Sequence, residues 1–370
     1  MNAQASPPAS ARRFVLAAVA LLAVLAMLVA AVLLYSATRV VSVSGKGESL
    51  VLEPGQIRMG ILMIEGGASA SLQEGSHWIG PVVSKAGSLT VGRGATITGP
   101  VVLFTDPLRL GEKATVRGSI ALFSGGLTLE RRASVRGNAV LFSGPLSLGP
   151  EASVLRNAIL FSGPVSMGRD ASIRGGTISF SGPVVLQEKA LLGGDALLFF
   201  GPLRLGNDAA VYGKVLTFTG GLDLGPGAVL HHGAVTFSGD VHLSPGAQVR
   251  QDLILAEGNA TLDPASTIAG TLYLTAEGIS QRGRLIAADE SVVIGGVVRP
   301  NDIESMATRN IAGWLLFRLL RLTALPLIGL GLLIGLVVFL VWRASSRETR
   351  PGTGASLPEM NLQPTAPGAR

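Results

Sequence analysis

Phenylalanine returns at every nineteenth position through the middle of this chain: Phe104, Phe123, Phe142, Phe161, Phe180, Phe199, Phe218 and Phe237. A register of that length, kept through eight copies, builds a stack of equivalent coils in which each coil buries its face against its neighbours. Most begin a phrase of the type Phe-Ser-Gly-Pro-Leu-x-Leu-Gly, as at Phe142-Ser143-Gly144-Pro145-Leu146.

Aligning the coils on Phe shows what else is fixed. Ten residues on stands an Ala in every coil (Ala114, Ala133, Ala152 and their equivalents), and two further on a branched aliphatic such as Val116, Val135 or Ile173. Aliphatics four and six positions after Phe, for example Leu146 and Leu148, add a second pair. Apolar residues two apart describe extended chain with one face inward. Between these pairs fall three punctuation points: Gly144-Pro145, Gly111-Glu112-Lys113, and Gly118 or Gly137 after the Ala-x-Val. Glycine reaches positive φ and proline presets φ, so these are corners. Three strands and three corners in 19 residues predict one turn of an all-β, triangular parallel β-solenoid. Looser glycine spacing extends it over residues 47–298, about twelve coils of 19–20 residues and a rod of roughly 58 Å.

Two apolar stretches flank the rod. Phe14 to Leu34 is 21 residues without a charged or polar side chain, enough for a helix to cross a bilayer. It predicts a transmembrane helix over 14–35, preceded by a disordered basic N-terminus over 1–13; the length of the run argues against a cleaved signal peptide. Leu322 to Trp342 predicts a second spanning helix. Residues 304–321, with Arg318 and Arg321 set against Trp314, Leu315 and Phe317, predict an amphipathic helix in the membrane interface. Residues 343–370 are read as a disordered tail. Two spans put both termini on one side of a cell membrane and the rod on the other. Basic residues near the spans are nearly balanced, but Arg12 and Arg13 abut the first one, which favours termini in the cytoplasm and the solenoid outside it.

Composition narrows the function. The chain has no Cys, which excludes disulfides and thiol chemistry, and its formal charge of +6 lies largely beside the apolar segments. That placement suits anionic lipid and argues against nucleic acid. Only four His are present. His77, the pair His231-His232, and His242 fall in separate coils or on separate faces, so no catalytic or metal-binding constellation converges. Asp289-Glu290 is read as a solvated corner, since adjacent strand residues point to opposite faces. No catalytic residue, metal or cofactor is expected.

The choice of inward face sets the candidate surface. Placing the Phe ladder inside, Phe104 to Phe237, aligns it with the aliphatics two residues earlier (Ala121, Val140, Ile159). The residue between then points out: Leu122, Leu141, Leu160, Leu198 and Leu255, with Ser179, Thr217 and Thr236 at the same position. An apolar stripe of that length marks a surface for self-association or lipid contact. On this reading Phe161→Ala opens a cavity costing roughly 3–5 kcal/mol. With the opposite parity Leu lies inside, Phe forms the exposed stripe, and the same face remains adhesive.

The Gly-rich, Val/Ile/Leu-patterned solenoid of residues 47–298 resembles the bactofilins, polymer-forming bacterial cytoskeletal proteins. The resemblance is one of architecture and composition. It implies a non-enzymatic scaffold that associates with itself and organises membrane or cell-envelope proteins. This rod is longer than is usual in that family and carries an apolar segment at each end. A rival is suggested by Leu110-Gly111-Glu112-Lys113-Ala114-Thr115-Val116-Arg117-Gly118, which is similar to the hexapeptide of left-handed β-helix acyltransferases; those coils are of 18 residues, and one third of each coil here fits. A surface adhesion or binding rod is a further alternative.

Overall fold

The computed structural model describes residues 40–274, 284–288 and 291–298 of the 370. The chain winds as a parallel β-solenoid of about twelve turns, and the described residues contain no helix. Each coil lays one strand on each of three sides. The first side starts at Val40–Ser44, passes through Ile61–Glu65, Ile120–Leu122 and Ala196–Phe200, and ends in the last residues of Val293–Val298. The second runs from Ser49–Leu52 through Leu127–Leu129 to Arg284–Ala287, and the third from Ile57–Met59 through Ser134–Val135 and the start of Thr267–Leu274 to the first residues of Val293–Val298. The thirteen strands of the second side span twelve gaps, ~58 Å at the usual strand spacing. The first strand, Val40–Ser44, precedes the corner glycine Gly47 at which the periodicity becomes visible.

Pairing is parallel and shifts by one repeat: Ile120 lies beside Ala139, Ala139 beside Ala158, and Ala158 beside Thr177. Corners continue the ladder, so their backbone groups are also satisfied; the Leu146 N–H donates to the Pro164 carbonyl at 2.9 Å. After Phe-Ser, the glycine is obligatory. Gly163 has φ +127°, and a Cβ there would sit 2.2 Å from the Gly144 carbonyl oxygen of the coil before. The charged corner is different. Lys113, Arg132, Glu151, Asp170, Lys189 and Asp208 hold left-handed φ of 56–61° in six successive coils, where Gly94 precedes them and Gly227 follows. Each N–H there bonds to the next coil, Lys113 to the Arg131 carbonyl at 3.0 Å, which holds a conformation that costs a side chain about 1–2 kcal/mol.

The interior is one continuous core of six stacked aliphatic columns. Ile120 and Leu122 enter from the first side, Leu127 and Leu129 from the second, and Ala133 and Val135 from the third, all fully buried. Leu122, Leu141, Leu160, Leu198 and Leu255 therefore lie inside at 0% exposure, and the Phe ladder lies outside. This reverses the parity expected from the sequence. Six aliphatic columns already fill the narrow triangular coil, and alternation cannot settle parity on a strand apolar on both faces. The polar members of the Leu122 column find partners, Ser179 Oγ donating to the Gly182 carbonyl at 3.1 Å and Thr217 Oγ1 to Thr236 Oγ1 at 3.0 Å, whereas the buried Thr177 hydroxyl beside Ala158 has none among the described residues.

The expected spans over 14–35 and 322–342, the interfacial helix over 304–321 and the two tails lie outside the described residues, as does Asp289-Glu290. No helix among the described residues is long and apolar enough to cross a membrane.

Candidate functional site: an aromatic face bordered by arginine

The outward surface of the first side carries two apolar columns. Val102, Ala121, Val140 and Ile159, then Ile178, Leu197 and Leu216, form the inner edge, and the Phe rings pack against them. Although they point away from the core, these aliphatics are buried beneath the rings. The eight rings stack in one continuous ladder with centroids 4.7–5.1 Å apart and planes within 10°. Flat groups touch at about 3.5–4 Å. Parallel rings with more distant centroids must therefore be slipped, the offset stacking that the ring quadrupole favours. The strand spacing imposes the separation and the tilt of each ring closes the gap.

From Phe104 to Phe237 neither column contains a charge. At its N-terminal end the Phe column is replaced by Lys85 and Glu65, paired at 2.7 Å, and then Ser44. One edge of the face carries Thr105, Ser124, Ser143, Ser162 and Ser181, with Phe200 projecting at 62% exposure. The opposite edge is the corner where the third side turns into the first. Arg117, Arg136, Arg156 and Arg174 are exposed there, and among the described residues none has an ion pair. Below them Ser119, Asn138 and Asn157 form a ladder that secures the corner: Asn138 Oδ1 accepts from the Asn157 N–H at 3.1 Å, and Asn157 Oδ1 from the Gly176 N–H at 2.9 Å.

The charged corner between the second and third sides behaves otherwise. Arg93 meets Glu112, Arg109 meets Glu130, Arg131 and Arg132 both meet Glu151, and Arg169 meets Glu188. Positive charge is thus paired on one corner, whereas beside the Phe face Arg117, Arg136, Arg156 and Arg174 have no ion pair among the described residues and acids enter the corner only further along, at Asp195 and Asp252.

The histidines stay apart. His77 Nε2 lies 2.8 Å from Thr98 Oγ1 on the third side. His231, some eight coils further on, stacks on Tyr212 at 3.9 Å and accepts from Arg250 Nη1 at Nδ1. His242, on the second side, faces Asp263 at 3.4 Å. Burial first, then a neighbouring arginine (Arg117 or Arg250), pushes His77 and His231 below their ordinary range. No group of three or more metal-ligating side chains gathers among the described residues.

No family model, curated protein or solved structure matches this chain. The functional reading therefore comes from its own geometry.

Proposed function

We propose that this protein is a membrane-tethered scaffold that associates with itself through its β-solenoid and organises membrane or cell-envelope components, as the resemblance to bactofilins implies. The observation that carries this is the distribution of exposed apolar side chains. Large ones fall at the two ends of the rod: Val51, Ile57 and Met59 in the first coil, and Ile286, Val293, Val297 and Val298 in the last. Between them, among the described residues, only Phe200 and Tyr212 are comparably exposed. The end strands also present backbone edges that can pair with another chain. A long uniform body with adhesive ends supports a structural element, and the apolar segments at 14–34 and 322–342 support its tethering.

Electron microscopy and sedimentation of the full chain in detergent test this. Linear assemblies are expected, shortened or abolished by Ile57→Lys together with Val297→Lys. Compact particles of fixed stoichiometry, unaffected by these substitutions, would overturn the scaffold in favour of a closed enzyme-like oligomer.

A further inference from the structure

We propose that the Phe face, with its arginine edge, is the surface on which the rod lies against an anionic lipid bilayer. The inference deepens the tethered reading and rests on it. Its first support is where the chain enters and leaves. Val40 opens the first strand of the first side, and Val298 closes the last strand of that same side, in register with Tyr273 and Ile254 of the aliphatic column. Only residues 35–39 separate Val40 from the apolar segment ending at Leu34, and twelve residues, 299–310, separate Val298 from the apolar stretch beginning at Ile311. Both connections to the lipid-seeking segments therefore issue from one side of the triangle, the side that carries the rings.

The second support is charge. A headgroup surface rich in phosphate offers acceptors for Arg beside a shallow apolar layer for aromatic rings, so a ring stripe bordered by unpaired Arg matches it in both respects. Arg117, Arg136, Arg156 and Arg174 stand at the edge of the Phe face, while the arginines of the remote corner are spent on glutamates. A long guanidinium stem can reach past the corner to a headgroup while the rings remain below it. On a second copy of this face the acids are few and scattered, Asp106 and the Lys85-paired Glu65 at one end and Asp195, Asp252 and Glu257 in the other half. A phosphate-rich surface meets every arginine of the edge, which is why lipid is the better occupant. Self-association then falls to the rod ends.

Absence of Cys makes any introduced one unique. The full chain is reconstituted into phosphatidylcholine vesicles with or without a third phosphatidylglycerol, carrying a nitroxide at Ser162→Cys on the edge of the Phe face or at Thr128→Cys on the second side. With anionic lipid, the Ser162 nitroxide should lose collisions with a water-soluble nickel chelate about threefold relative to the Thr128 nitroxide, as expected for interfacial burial. The combined Arg136→Glu, Arg156→Glu and Arg174→Glu substitutions should abolish the difference. A chain that resists carbonate extraction while its Ser162 nitroxide stays in water overturns this proposal and leaves tethering standing. Extraction by carbonate overturns tethering, and the proposal with it. Protection of Ser162 in both lipid mixtures, with strong spin–spin broadening between chains, overturns lipid in favour of a sister rod.

Discussion

Leu160 and Phe161 are neighbours in the chain and opposites in the structure. Leu160 is stacked inside between Leu141 and Ser179, whereas the Phe161 ring is half-buried between Phe142 and Phe180. Leu160→Ala should cost about 3–4 kcal/mol, because the coils on either side are pinned by backbone bonds and cannot close the cavity. Phe161→Ala forfeits partial burial and two stacked contacts, about 2 kcal/mol, and leaves no internal void. Urea unfolding of the solubilised chain gives both values, and a larger loss at Phe161 would return the ladder to the interior. Backbone conformation supplies a second contrast. Gly163→Ala forces a methyl into the Gly144 carbonyl and should cost at least 2–3 kcal/mol, whereas Lys113→Gly relaxes a left-handed side chain and should be neutral or stabilising by up to about 1 kcal/mol. Equal destabilisation by both, in the same unfolding assay, would show that contact rather than backbone strain governs the corners.

The coil, as an element, was largely legible in the chain itself. Apolar pairs such as Leu146 and Leu148, and glycines such as Gly144 and Gly163, mark strands and corners by spacing alone. Parity was not legible on the first side, where Ile120, Ala121, Leu122 and Phe123 are all apolar. Ser179, Thr217 and Thr236 in the Leu column could not correct the parity, because hydroxyls satisfied by a carbonyl or by each other leave no trace in composition. Likewise, nothing about Lys113, Arg132 or Glu151 announces a left-handed corner; the stack of neighbouring corners imposes it. The Arg edge was equally hidden, since Arg117 and Arg131 look alike until the glutamates of one corner are seen to be absent from the other. Titration should distinguish these elements. His77 and His231 are held below 6.5, mainly by burial, so the folded state binds fewer protons there than the unfolded one. Their contribution is complete above the ordinary value of 6.5 and is lost as pH falls below it. Glu151 and Glu188 are lowered first by hydrogen bonds from Arg132 and Arg169, so theirs is present above 4.5 and is lost as pH falls through the lower folded values. Melting temperature against pH should thus decline in two stages on the acid side. His77→Gln with His231→Gln should remove the upper stage alone; its persistence in that double variant would assign it to other groups.

For the whole molecule, the ends constrain posture as strongly as the faces do. The rod is ~58 Å long, and the twelve residues 299–310 reach at most about 43 Å when fully extended, while residues 35–39 reach about 18 Å. A rod standing on its first coil would hold Val298 beyond the reach of the segment that must return to the bilayer, so a chain anchored at both ends lies flat or strongly tilted. A 19-residue coil has a perimeter of ~63 Å, or sides of roughly 20 Å, so a rod lying flat raises a protein layer near 25 Å once side chains are added. Neutron reflectometry on the reconstituted chain should find that thinner layer. Deleting residues 299–370 removes the proposed second anchor and should let the layer thicken towards the rod length. A layer close to 58 Å in the intact chain would mean that one of the two apolar segments is not in the membrane, and the flat posture would have to be abandoned.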